Sequence, residues 1–535
     1  MFDSLLIDLR FTLRSLRRSP VFTGFAIATL ALGIGATTSI FSVLSGVLME
    51  PLPYAEPDRL VAVWNRIDDA SRVGVSGPDF VDYSEQADLF EGMTNIWATS
   101  TNLYGDGEAE GIVMSWVAPE FLSVMGVTPA LGRAFRPEDK IRVDLSIFDA
   151  EGGAEPPPLS LMISHGLWQR RYGGESDVIG RTLNLNGQSG VVIGVMPERF
   201  RLHLAPDAGI PTNADVWTLM PVDLRADMPR APGGLIRIVG RLKPDVTVEQ
   251  AQAQMTTIAA RQRSLYAAHD AAGLEIDVVP LALEAVGHVR AILFMLLGAV
   301  GFVLLIACAN VGNLLLVRAG QREREIAIRT AIGGGRRRIV MQMLLESVLL
   351  GLVGGGLGLY LADLGVELMV AMGPENLPRL ENVGTDLTVL GFTLLVTLGA
   401  VLLFALAPLW ISTKANLASL LKVRERSATR QRQRLRGGLI IAEVALSVVL
   451  LVGAGLMLRS FQALGSDDKG FQEDGVLTFQ YALPVFAYRQ DGSRTEFFRD
   501  MSARLRDLPG VLSVGAVDPI PFSGDGSPVG SFALD

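Results

Sequence analysis

The residue types that do chemistry are few in this 535-residue chain, and they stand apart from one another. His165, His203, His269 and His288 are widely separated, and none has the spacing of metal ligands. Each reads as a surface or structural histidine. The single cysteine, Cys308, sits inside an apolar run, so the chain has no internal disulfide framework and the thiol reads as a packing residue. No serine lies in a G-x-S-x-G elbow, and no G-x-x-x-x-G-K-[ST] loop cradles a phosphate. Gly333-Gly334-Gly335-Arg336 lacks the lysine and hydroxyl residue of that loop and reads as a break between a surface helix and an apolar run. The chain is therefore expected to be no enzyme and to hold no cofactor; if ATP is involved, another polypeptide binds it. What does stand out is basic. Arg318, Arg322, Arg324, Arg329, Arg336, Arg337 and Arg338 face only Glu323 and Glu325 in a short, helix-favouring connector between two apolar segments. Its apolar residues Ile326, Ala327, Ala331 and Ile332 are too few for a core. Such a helix lies at a membrane surface and presents a face to something in the cytoplasm.

The elements around that connector are membrane spans. With 49% hydrophobic and 19% charged residues and a mean hydropathy of +0.35, the chain suits a polytopic membrane protein with a sizeable soluble part. Five runs reach the roughly 20 residues that cross a bilayer: about Pro20 to Met49, Ala291 to Val317, Ile339 to Met372, Leu387 to Ile411 and Gly438 to Leu458. The first is preceded by Arg10, Arg14, Arg17 and Arg18, is too long for a signal peptide, and is read as an uncleaved span continuing beyond the membrane. The net charge of −9 conceals an asymmetry that speaks to topology and not to nucleic acid. The N-terminal segment (1–20), the 318–338 connector and the basic linker (413–437) are expected inside; the acidic turn from Gly373 to Asp386, the segment 50–287 and everything after about 460 are expected outside. Gly351, Gly354, Gly355, Gly356 and Gly358 crowd the third span, which suits close helix approach or a sliding helix. Glu346 and Glu443 fall inside apolar runs near the cytoplasmic edge, where snorkelling or pairing with a nearby arginine is expected.

The outside segment is long enough to bury its own core and reads as mixed α and β. Thr182 to Asn186-Gly187 and Val191 to Met196 read as two strands near an Asn-Gly turn. Leu235 to Leu242 reads as another strand, and Thr247-Val-Glu-Gln250 as a capping box opening a helix to about Ala267. Asp139 to Pro158 is acidic, Pro/Gly-rich and expected to be an insertion loop.

These segments resemble the MacB/FtsX-type ABC transporter permeases. The connector's run from Ala309-Asn310 through Arg318, Arg322-x-Arg324-Glu325-Ile326-Ala327-x-Arg329, Gly333, Arg336 and Gln342-x-x-x-Glu346-Ser347 is similar to that family's permease segment. Ile163 to Gly174, Ile179 to Gly187 and Val192 to Pro197 are similar to its periplasmic core domain, and Leu13 to Pro20 and Glu50 to Tyr54 fit the ends of the first span. The resemblance implies a periplasmic core domain over 50–287, a permease domain over 288–412 and a coupling helix over 318–338 that docks on a cytoplasmic ABC ATPase. Arg322, Arg324, Glu325, Ile326, Arg329, Gly333 and Arg336 are the implied contact residues. Membrane lipids and an envelope or outer-membrane component are the other implied partners, with the bacterial inner membrane as location. A fifth span (438–459) and a second outside segment (460–535) resemble the duplicated permeases of the acidobacterial type, and imply a second unit cut short at Asp535. A regulatory or scaffolding protein controlling an envelope enzyme such as a cell-wall hydrolase shares the same architecture and stays open at this point.

Overall fold

A computed structural model describes residues 2–67, 71–105, 108–142, 157–205, 208–321, 336–372, 383–414, 426–466, 475–479, 483 and 492–517. The chain divides into two compact units, one of residues 1–50 and 288–476, the other of 51–287 and 477–535.

The first unit opens with helix α1 (Phe2–Arg17) and helix α2 (Pro20–Leu44). The break between them falls at Ser19, which leaves helical geometry before Pro20 takes the first-turn position where its missing N–H leaves no bond unmade. The hydroxyl of Thr23 donates back to the Leu16 carbonyl at 3.0 Å and ties the two helices together across the break. α2 ends in a wider π turn, Ser45–Met49.

The second unit carries an 11-stranded mixed sheet among the described residues. In chain order its elements are β1 (Leu60–Ile67), β2 (Ser71–Val73), α3 (Gly77–Gln86), β3 (Phe90–Tyr104), β4 (Glu110–Val117), α4 (Phe121–Met125), β5 (Leu131–Gly132), β6 (Leu159–Ile163), α5 (His165–Tyr172), β7 (Thr182–Leu185), β8 (Gln188–Val195), β9 (Val216–Leu219), β10 (Arg237–Leu242), α6 (Val248–Leu265), α7 (Ala267–Ala271) and β11 (Glu275–Pro280). The strands run β11-β1-β10-β3-β4-β9-β6-β8-β5, with β2 beside β1 and β7 bridging β3 and β8. Successive strand residues point to opposite faces, and here both faces are buried. Leu60, Ala62 and Trp64 of β1 enter one core with Phe121 and Met125 of α4. Val61 and Val63 enter another with Ala251, Met255 and Ile258 of α6. That is why β1 reads as a nearly continuous apolar run rather than an alternating one. A third core gathers Leu161, Ile163, Leu167, Tyr172, Val192 and Val195.

Local signals set the joints. α6 starts at the capping box, with the Gln250 N–H donating to Thr247 Oγ1 at 3.3 Å and the Thr247 N–H donating to Gln250 Oε1 at 2.9 Å. β7 and β8 are joined by Asn186 (φ 51°) and Gly187 (φ 91°), the two positive-φ residues that a tight hairpin demands.

The remaining helices are α8 (Leu281–Gln321), α9 (Arg336–Met372), α10 (Leu387–Lys414), α11 (Arg426–Ser466) and α12 (Ser493–Arg506). Among the described residues, five helical stretches are long and apolar enough to cross a membrane: Pro20–Met49, Val289–Arg318, Met341–Ala371, Leu387–Ala405 and Arg436–Ala463. The protein is thus a multi-pass membrane protein with a large mixed-sheet domain.

Candidate coupling site

Two helices, α8 and α9, flank the basic connector, and a buried charge pair joins them. α8 carries no charged residue from Ala291 to Val317; Arg318 is its next residue and is largely buried. Its Nη1 lies 2.6 Å from Oε1 of Glu346 on α9, whose side chain is 7% exposed. Charges withdrawn from water this far need a close opposite charge and further hydrogen bonds, and both are supplied. Arg318 Nη2 donates to the carbonyl and the hydroxyl of Ser15 on α1, at 3.0 and 3.1 Å. The guanidinium also sits 4.6 Å over the ring of Phe22 on α2, in cation–π geometry. One arginine therefore joins α1, α2, α8 and α9 where α8 approaches the connector.

Further along the bundle the helices hold each other by small residues and hydroxyls, the means available where lipid removes the hydrophobic drive between spans. α9 is wedged between α2 and α10. Toward α2, a Cβ on Gly35 would come within 2.9 Å of the Gly358 carbonyl oxygen, and one on Gly354 within 2.8 Å of the Leu30 Cβ. Toward α10, a Cβ on Gly355 would meet Thr397 Oγ1 at 2.6 Å. Gly354 and Gly358 are one helical turn apart and share a face. Gly356 points to open space. Ser39 of α2 donates to the Ala362 carbonyl of α9 at 3.2 Å, and Thr38 pairs with Thr393 of α10 at 3.2 Å. Phe41 and Phe392 stack with centroids 3.7 Å apart. The first unit's core gathers Leu30, Ile34, Val311, Leu350 and Phe404 around these contacts.

The residues that the sequence assigns to docking lie between these supports. Arg322, Arg324, Glu325, Ile326, Arg329 and Gly333 fall outside the described residues, and Arg336 opens α9 with its side chain likewise outside them. Arg318 to Gln321 belong to α8, and Arg336 to Arg338 to α9, so both ends of the connector continue the flanking helices. The structure brings together Arg318, Glu346, Ser15 and Phe22. The sequence implies an arginine partner for Glu346 without choosing which, and assigns no part to Ser15 or Phe22.

The sheet domain holds a second polar cluster. Asp79 and His269 are buried and 2.8 Å apart, with Arg230 Nη1 at 2.5 Å from Asp79 and 2.7 Å from Asp82. Burial works against ionisation of Asp82, but hydrogen bonds from Gln262 and Arg230 outweigh it and hold the carboxyl below its ordinary range. Burial, followed by the charge of Asp79, pushes the Tyr83 phenol well up, so it stays a neutral donor to Asn65 Oδ1 at 3.0 Å. These bonds lock α3, α6 and α7 against β1. Among the described residues no group of three or more His, Cys, Asp or Glu could hold a metal ion.

Set beside known families, residues 23–258 match the MacB-like periplasmic core domain and residues 297–417 match the FtsX-like permease C-terminal domain, in that order along one chain. The chain belongs to the MacB/FtsX-type permeases. Among its curated relatives, the macrolide export ATP-binding/permease protein MacB of Rhodospirillum rubrum is 27% identical over 240 residues, which are 43% of this chain and 35% of that protein. The uncharacterized ABC transporter permease YknZ of Bacillus subtilis is 39% identical over 88 residues, 16% of this chain and 22% of that one. This MacB/FtsX-type chain thus spans well under half the length of the curated relatives it matches. The crystal structure of the periplasmic region of MacB from Actinobacillus actinomycetemcomitans overlaps 47% of this chain and 97% of its own, at 15% identity and a TM-score of 0.30.

Proposed function

We propose that this chain is the permease part of an ABC-type transporter or mechanotransmission complex of the bacterial inner membrane. Its N-terminus and the 318–338 connector face the cytoplasm, and its sheet domain lies outside. A separate cytoplasmic ATPase binds the ATP and docks on the connector, with Arg322, Arg324, Glu325, Ile326, Arg329, Gly333 and Arg336 as contact residues. The chain itself performs no covalent chemistry. It passes displacement of the connector into its spans, for export or for an envelope task, and an envelope or outer-membrane component receives the result.

The observation that carries this reading is the Arg318 junction. A segment meant to move spans needs ends that grip them. α8 and α9, which flank the connector, are joined by the Arg318–Glu346 pair, and the same arginine grips α1 and α2. A displacement of the connector then has a route into four helices at once.

Reversing charge at two contact residues, Arg324→Glu with Arg329→Glu, tests it. Charges at a protein interface steer association and suppress wrong partners. The double variant should insert normally, as read by membrane fractionation, and should lose co-purification with the ATPase. Undiminished ATPase association would overturn the proposal, as would a reporter placing the connector on the outer side.

A further inference from the structure

We propose that α1 is a headgroup-binding helix that seats the chain on anionic phospholipid. The charge on α1 is sorted by direction. Thr12, Ser15 and Leu16 are buried, and α1 packs against α9 and α2. Arg10, Arg14 and Arg17, with Arg18 in the turn that directly follows α1, are all exposed. At 3.6 residues per turn these four fall within roughly 100° of arc, on the side away from the buried stripe. Among the described residues none of the four has an ion pair, whereas Arg318 of α8, packed on the buried side of α1, pairs with Glu346 and donates to Ser15. Leu13 is 42% exposed and borders the arginine stripe, so an apolar edge adjoins a basic one, as on helices that lie in a membrane interface.

The level of the stripe is set by α2. That span begins at Pro20, directly after Arg18, so Arg14, Arg17 and Arg18 stand within two turns of the hydrocarbon edge, where phosphates are. Guanidinium binds phosphate in bidentate fashion and is weakly hydrated. Juxtamembrane basic clusters of about 4–8 residues are what anionic lipid attracts. A cytoplasmic acidic protein surface is the competing occupant. The lipid is favoured because the arginines adjoin the start of a span and border an apolar side chain.

The proposal rests on the inner-leaflet orientation given above, which a reporter fused to the N-terminus reads separately. The full chain, carrying a benzoylphenylalanine photocrosslinker at Leu13, is placed in nanodiscs of equal phosphatidylglycerol and phosphatidylcholine. Crosslinks should favour phosphatidylglycerol by about fivefold or more. The preference should shrink at high salt and fall to near unity in the variant Arg10→Gln, Arg14→Gln, Arg17→Gln, Arg18→Gln. Equal crosslinking of the two lipids from position 13 with all four arginines in place overturns the headgroup site, as does a preference that survives all four substitutions. In native membranes, crosslinking of Leu13 to a cytoplasmic protein instead of lipid would make the helix a protein-docking face and equally overturn it. A reporter found outside defeats the orientation; a reporter found inside with no lipid preference defeats only the headgroup site.

Discussion

Removing Glu346 should loosen the whole helix bundle, because it strands a buried arginine. At the 2.6 Å separation of Arg318 and Glu346, the Coulomb attraction is about 6 kcal/mol for an effective dielectric near 20, before desolvation is subtracted. Breaking a buried pair by deleting one member costs about 3–5 kcal/mol. The lower end applies here, since Arg318 would keep its bonds to Ser15 and its seat over Phe22. We therefore expect Glu346→Leu and Arg318→Met each to destabilise the bundle by about 3 kcal/mol. The double variant should fall short of the sum by about 2 kcal/mol, because it leaves no uncompensated charge. The measurement is equilibrium unfolding of the purified chain in mixed micelles, followed by loss of helical circular dichroism. Additivity of the two substitutions within about 0.5 kcal/mol would show the residues to be energetically independent, and the junction would no longer support the proposed coupling.

Two further outcomes follow from the packing and the charges. Gly35→Ala should destabilise the bundle by about 1–3 kcal/mol, because the new methyl meets a backbone carbonyl that cannot step aside; Gly356→Ala, facing open space, should be neutral in the same unfolding assay, and equal effects would refute the wedge. In the excised 51–287 domain, which should run as a soluble monomer on gel filtration, Asp82 is held below its ordinary range. Its contribution is therefore present above about pH 4 and is lost as pH falls through the lower folded-state value. Asp82→Asn should lower the melting temperature at pH 7 and narrow the difference between pH 7 and pH 3; an unchanged pH dependence would refute the role given to this carboxylate.

The spans were legible because hydropathy is additive along a helix and needs no knowledge of neighbours. Their ends were less so. α8 begins at Leu281, ahead of the apolar run, because Glu284 and Arg290 interrupt the hydropathy without interrupting the helix. Glu284 is buried beside Arg72, at 3.4 Å, a partner no local pattern reveals. The β7–β8 hairpin announced itself through Asn186-Gly187, while β1 and β9, apolar on both faces, carry no alternation to read. The Arg318–Glu346 pair was half visible. An acid in an apolar run implies a counter-charge, but only packing of α8 on α9 chooses which arginine. The contact residues proposed for the connector rest on resemblance and charge alone, and all but Arg336 fall outside the described residues.

β3 has a consequence for how the sheet domain bears load. This single strand of 15 residues pairs with β10 along its first half, with β4 along its second, and with β7 at its tip. The two flanks of the sheet therefore share one continuous backbone. A pull along that strand strains many ladder bonds in parallel instead of peeling them one after another, so the domain should resist stretching as a unit and give way all at once.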